Sequence, residues 1–320
     1  MKKVFWATAV FFAVAAHAAE YPSRPTRMIV PQAPGSASDT VARLLAAELS
    51  PRLGQQVVVD NRPGGALMIG MEMTARAAPD GYTIGYAPVG GLVISPNVSG
   101  KPPYDSNKDF AAIIMTAFNT MLLASNPNFA VKNIRELIDY AKANPGKLSN
   151  ASSGNGTPGH VGMEYFKLMT GTQMVHVPYK GGGAALIATV GGEADLSFIG
   201  VQPALPHIQG NKLRALGITS AKRSPTAPEI PPLAEAGLPG YDAVSWHMIV
   251  APGATPKPIV EKLHASLREV ASDATFRAEI LKRGFVAQDS APPDALAAYV
   301  KSEIVRWGDV VRKAGAAGIE

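Results

Sequence analysis

The chain has 320 residues, 47% apolar and 17% charged, enough for one large core or two moderate ones, and its length favours two lobes of ordinary domain size. It contains no cysteine, which excludes disulfides and thiolate chemistry. Setting Lys2 and Lys3 aside leaves 28 of the 30 basic residues against 25 acidic ones, a net of +3 spread without a basic run, which argues against nucleic acid and suits an anionic small ligand.

Residues 1–18 read as a signal peptide, with Lys2 and Lys3, then the apolar run VFWATAVFFAVAA, then the small-x-small Ala16-His17-Ala18. No later stretch reaches the ~18 uninterrupted apolar residues of a spanning helix, so a soluble protein exported to a periplasm is expected. RMIVPQ, residues 27–32, predicts a short strand stopped by Pro31 and Pro34. Ser36 with Asp39 three residues on predicts a capped helix start, and Val41, Leu44, Leu45 and Leu49 give the buried face. QQVVVDN is a β-branched strand, NRPGGA a turn and residues 69–77 a short helix, after which Asp80-Gly81 enters another strand.

The second stretch repeats this grammar. Asn133 opens a helix closed by Asn144-Pro145-Gly146, KLSNASS is a strand, GHVGMEYFKLMTG a helix ended by Gly171, and QMVHVPY a strand. GGGAALIATVGG predicts a helix, ADLSFIG and KLRALGIT two strands, residues 224–240 a proline-rich excursion, and VSWHMIVAP a returning strand. From Lys257 the pattern is helical, with Ile259, Leu263, Leu267 and Val270 on one face and a further helix in PDALAAYVKSEIVRWGDVVRKAG. Strands alternating with helices predict parallel sheets, which draw PQAPGSASD, APVGG, SSGNGTPGH and YKGGG together at the carboxyl ends of the strands.

Gly154, Gly156 and Gly159 spell G-x-G-x-x-G, yet the strand that follows carries no acid for a ribose hydroxyl, so a dinucleotide is not expected. Backbone N–H groups at the helix start, with Ser152, Ser153, Asn155 and Thr157, form an anion cradle that suits a carboxylate; a plain capping turn is the competing reading. PGSAS offers the same chemistry at a second helix start. There is no G-x-S-x-G, and the histidines lack metal-ligand spacing. His160 either donates to a ligand or bonds its own turn, and Lys180 is either an anion contact or solvated. Asp39, Asp60, Asp105, Asp195 and Asp242 read as caps, with Asp39 nearest the crevice, and Trp246 reads as core.

The blocks YPSRPTRMIVPQAPGSASD, LGQQVVVDNRPGG, APDGYTI, YAKANPGKLSNASSGNGTPGH, HVPYKGGG, LPHIQGNKLRALGITSAKRS, PPLAEAGLPGYDAVSW and APGATP occur in this order. Together they resemble the tripartite tricarboxylate transporter solute receptors, the Bug-type extracytoplasmic receptors, over nearly the whole chain after the signal. The resemblance implies an α/β, type II periplasmic binding protein fold of two lobes joined by two crossover strands. Lobe one would be residues 20–119 plus 245–320, and lobe two residues 120–244. It also implies a monomer that binds a small carboxylate and delivers it to a membrane permease, with no reaction, no metal and no cofactor. A receptor reporting to a sensor protein, and an exported enzyme, are the alternatives. The implied contacts are Gln32, Gly35, Ser36, Ser38 and Asp39 from the first loop, Val89 and Gly90, then Ser153, Asn155, Gly156, Thr157 and His160, with Gly181, Phe198 and Ile199. Against the family pattern, Gln32 replaces an aromatic, Ser36 a glycine, Leu67 and Met68 small or polar residues, and Ile199 a frequent acid. These departures imply a carboxylate with an uncharged body rather than an amino acid.

Overall fold

Short β-branched runs and capped amphipathic segments alternate along the chain, and they fold into two sheets with helices on their faces. The computed structural model describes residues 21–155 and 157–318, so the expected signal peptide lies outside it. The chain begins β1 (Thr26–Val30), α1 (Ala37–Leu53), β2 (Val57–Asn61), α2 (Met68–Ala75) and β3 (Thr83–Pro88). A π-helical turn (Gly90–Ile94) leads to α3 (Ser95–Val98) and the long β4 (Phe110–Asn119). Then come β5 (Met121–Ser125), α4 (Ile134–Ala143), β6 (Ser149–Ser152), α5 (Pro158–Thr170), β7 (Val175–Pro178), α6 (Gly182–Gly191), β8 (Leu196–Gly200), α7 (Val201–Gln209) and β9 (Arg214–Ile218). The rest is α8 (Leu233–Ala236), β10 (Ser245–Pro252), α9 (Lys257–Ser272), α10 (Ala274–Leu281), β11 (Phe285–Ala287) and α11 (Pro293–Lys313).

Among the described residues the first sheet has the order β11-β4-β10-β3-β1-β2 and the second the order β7-β6-β8-β5-β9. The expectation of parallel sheets is corrected in part: β10 runs antiparallel to β3 and β4, β11 antiparallel to β4, and β5 antiparallel to β8 and β9. The cause is the crossing of the chain. β4 leaves the first sheet at Asn119 and β5 enters the second at Met121, so β5 starts at the edge where its neighbours end. β10 enters the first sheet from the same side after β9, and it is reversed for the same reason. The parallel set is β1 with β2 and β3, and β6 with β7 and β8, whose carboxyl ends carry the glycine-rich loops.

The helix starts and stops follow local chemistry. Ser36 and Asn133 cap α1 and α4 by accepting the Asp39 and Glu136 N–H groups, and Gly54 and Gly171 end α1 and α5 in the left-handed conformation. α1 buries Val41, Leu45 and Leu49. One buried cluster joins the two sheets, with Leu123, Phe198 and Tyr241 meeting Trp246, Leu296 and Trp307. Trp246 is core, and its indole N–H and that of Trp307 both donate to Glu303 of α11, at 3.0 and 3.1 Å. Among the described residues no helix is long and apolar enough to cross a membrane.

Candidate functional site

The loop between β1 and α1 is shaped by a carboxylate turned inward. Asp39, only 3% exposed, accepts the Gly35 N–H at 2.9 Å, the Asn61 amide at 2.8 Å and the Arg43 Nε at 3.0 Å. Asn61 also donates to the Gln32 carbonyl at 3.0 Å, so the end of β2 holds both sides of the loop. Burial works to raise the Asp39 carboxyl, but the hydrogen bonds from Arg43, Gly35 and Asn61 outweigh it and hold it below the usual carboxylate range. Gln32 is half-buried and Gly35 exposed. Ser36 caps the helix, and the buried Ser38 hydroxyl has no hydrogen-bond partner among the described residues. The result is a 17-residue helix whose start is fixed from behind by the Asp39 network.

The loop between β6 and α5 is shaped by neutral groups. Ser152 Oγ accepts the Gly154 N–H at 3.1 Å, the Thr157 hydroxyl donates to the Gly154 carbonyl at 2.7 Å, and Gly154 has φ +131°, a conformation that requires glycine. Thr157 is the cap residue of α5, Ser153 is half-buried and Asn155 exposed. Gly156 lies outside the described residues. His160 is not on the loop surface: it is 4% exposed and stacks on His176 with ring centroids 3.9 Å apart. Gly181, with φ +106°, stands at the start of α6, and Lys180 beside it is exposed.

A third segment, after β2, meets the turn after β3. Ala66 and Leu67 hold left-handed backbones (φ 50° and 77°) although neither is glycine, a strained turn that carries Leu67 over Gly90. A Cβ on Gly90 would stand 3.0 Å from Leu67 Cδ1 and 3.9 Å from Pro158 Cδ, so the turn after β3 and the start of α5 approach across the two sheets. Val89 beside it is buried. Phe198 and Ile199 are buried as well. Phe198 stacks on Tyr241 with centroids 6.2 Å apart, and Ile199 packs with Leu122, Leu186 and Val201 inside the second sheet's core. The sequence reading missed Asn61, Pro158 and His176, each of which acts through a residue distant in the chain. A cavity of about 470 Å³ by the crossovers, walled by Met115, Phe118, Asp242, Trp246 and Tyr299, borders none of the expected site residues. Among the described residues no group of three or more His, Cys, Asp or Glu is placed to hold a metal ion.

Residues 41–316 match the model of the tripartite tricarboxylate transporter family receptor. BugT of Bordetella pertussis is 34% identical over 330 aligned positions, covering 99% of this chain and 98% of its own. The solved structure of Rpa4515 of R. palustris with adipate is 32% identical, covers 92% of this chain and 99% of its own, and superposes with a TM-score of 0.81. MatC of Rhodopseudomonas palustris with bound malate is 31% identical, covers 91% and 100%, and gives 0.79. With two α/β sheets joined by two crossings and these matches along most of its length, the chain belongs to the tripartite tricarboxylate transporter receptor family of periplasmic solute-binding proteins.

Proposed function

We propose that the protein captures a small carboxylate in the periplasm by closing its two lobes and hands it to a membrane permease of the tripartite type. The observation that carries this reading is the pair of helix starts, before α1 and α5, each held from behind at the carboxyl edge of its own sheet. Backbone N–H groups and the hydroxyls of Ser36, Ser38 and Ser153, with the Asn155 amide, supply donors for an anion from both sides, and Thr157, whose hydroxyl proton goes to the Gly154 carbonyl, shapes the second loop. The lobes are residues 20–119 plus 245–320 and residues 120–244, and the crossings near Asn119 and Ser245 act as the hinge. Ligand bridging both loops favours the closed form by its higher affinity for it. Leu67, presented over Gly90, gives the ligand's body an apolar wall, which favours a dicarboxylate or monocarboxylate with an uncharged body. Relatives of this chain hold adipate and malate, which fits that class. No step of chemistry is assigned to the site, and the working unit is a monomer.

Titration calorimetry with adipate, malate, benzoate and aspartate tests the reading. Binding of one or more of the first three, weakened about tenfold when Thr157 is changed to Val, supports it. Tight aspartate binding with no response to the others overturns the ligand class, and no response to any carboxylate overturns the site.

A further inference from the structure

Three elements carry the second loop, and two imidazole rings tie them together. Ser152 ends β6, His176 lies in β7 and His160 sits in the first turn of α5. His176 Nε2 is 2.6 Å from Ser152 Oγ, which is also 3.1 Å from both the Gly154 N–H nitrogen and the Gly154 carbonyl oxygen. A hydroxyl has a single proton to give. The assignment that satisfies all three contacts sends this proton to the Gly154 carbonyl and has His176 donate from Nε2. His160 lies flat behind His176, with an interplanar angle of 13°. The charged groups facing the pair are Glu164, 3.9 Å from His160 Nε2, and Lys167, which pairs with Glu164 at 2.7 Å. Burial lowers both histidines to about 4, with His176 and Lys167 adding to the effect on His160 and Lys167 to that on His176. Both rings are therefore neutral at pH 7, and the donor assignment puts the one ring proton of His176 on Nε2.

We propose that His176, held flat by His160, is the positioning residue of the carboxylate site: its bond to Ser152 fixes Gly154 and so aims the donors of Ser153, Gly154 and Asn155. This rests on the functional reading above, in which those donors meet the ligand. Nothing in the scheme has His176 touch the ligand. It sets the loop before the ligand arrives, which reduces the ordering cost of binding.

The test uses the purified protein with adipate and malate as probes and amide hydrogen exchange of residues 152–157 without ligand. His176→Leu removes the donor, whereas His176→Gln keeps an N–H near the position of Nε2. His176→Leu is expected to speed exchange at the Gly154 N–H about tenfold and to weaken the bound probe about tenfold, with His176→Gln within about twofold of wild type in both. Ser152→Ala reproduces the defect, and adding His176→Leu to it costs less than about twofold more, as coupled partners require. Wild-type exchange and affinity in His176→Leu, or a His176→Gln variant as defective as the leucine, would overturn the proposal. If His176→Leu fails to fold, the glutamine and Ser152→Ala variants decide: a glutamine variant as defective as Ser152→Ala, or a Ser152→Ala variant indistinguishable from wild type, overturns it. Should wild type bind no carboxylate, the transport reading falls, while exchange at Gly154 still decides whether His176 positions the loop.

Discussion

The loop before α1 is scaffolded by charge and the loop before α5 by neutral groups, although both leave a helix start open at the edge of a parallel strand set. In the first, the Asp39 carboxylate gathers Gly35, Asn61 and Arg43. In the second, hydroxyls, imidazoles and one glycine carbonyl do the same work. An ionised scaffold concentrates several bonds on one group, so removing that group strands every partner at once. A neutral scaffold spreads its bonds, and each deletion costs less. Asp39→Ala should therefore give the largest effect: the Gly35 N–H and the half-buried Asn61 amide each lose a bond to a charged acceptor, with a stability loss on the order of 4 kcal/mol. Arg43 is half exposed and adds little of this. Urea denaturation measures the loss, and a change below about 1 kcal/mol would remove Asp39 as the organiser of its loop.

Acid separates the two scaffolds next. His160 and His176 have folded values near 4, below the ordinary 6.5, so between those values the unfolded chain binds protons that the folded one does not. Their contribution is fully present above pH 6.5 and is lost as pH falls toward 4. Asp39 is lowered from 3.8, so its contribution is present above that value and disappears only at still lower pH. On acidification the second loop should loosen first. His247 in β10 is lowered to about 3 by burial and contributes with the same sign, so the share of the pair is the difference between wild type and the His160→Asn/His176→Gln variant in denaturation midpoints from pH 7 to 4. Identical pH curves for the two proteins would show that the pair carries no such linkage.

The same contrast explains what could be read along the chain. Ser36 capping Asp39, Asn133 capping Glu136 and Gly171 closing α5 are contacts over a few residues, and their signals are local. The direction of β5 and β10 is not local. It follows from where the chain crosses between sheets, and β4 and β5 carry no turn residue pattern that would have announced them. The two glycine-rich loops stood out because serine, glycine and a helix start coincide. His176 did not, because it reaches Ser152 from 24 residues away through the register that sets Asn150 beside His176. Asn61 likewise reaches Asp39 across 22 residues, through the pairing of β1 with β2.

Thr157→Val removes one bond from the neutral scaffold, the 2.7 Å contact with the Gly154 carbonyl, and so loosens the loop whose donors are proposed to meet the ligand. Its expected cost is about 1.5 kcal/mol in affinity by calorimetry, well under the loss from Asp39→Ala in stability. An equal or larger cost would mean that the second loop, too, concentrates its bonds on one residue.

Gly90→Ala should have the smallest effect, because it touches neither scaffold and only the approach between them. The new methyl would stand 3.0 Å from Leu67 Cδ1, the far end of a side chain that can rotate, and 3.9 Å from Pro158 Cδ, an ordinary contact. A stability change under about 1 kcal/mol is expected from thermal unfolding. Affinity reads something else. If the lobes close no further on binding than the approach seen at Gly90 and Pro158, carboxylate affinity should follow the small stability change. A tenfold loss of affinity with unaltered stability would instead mean that closure brings Pro158 nearer to Gly90 than 3.9 Å, and that glycine is required there by the bound form alone.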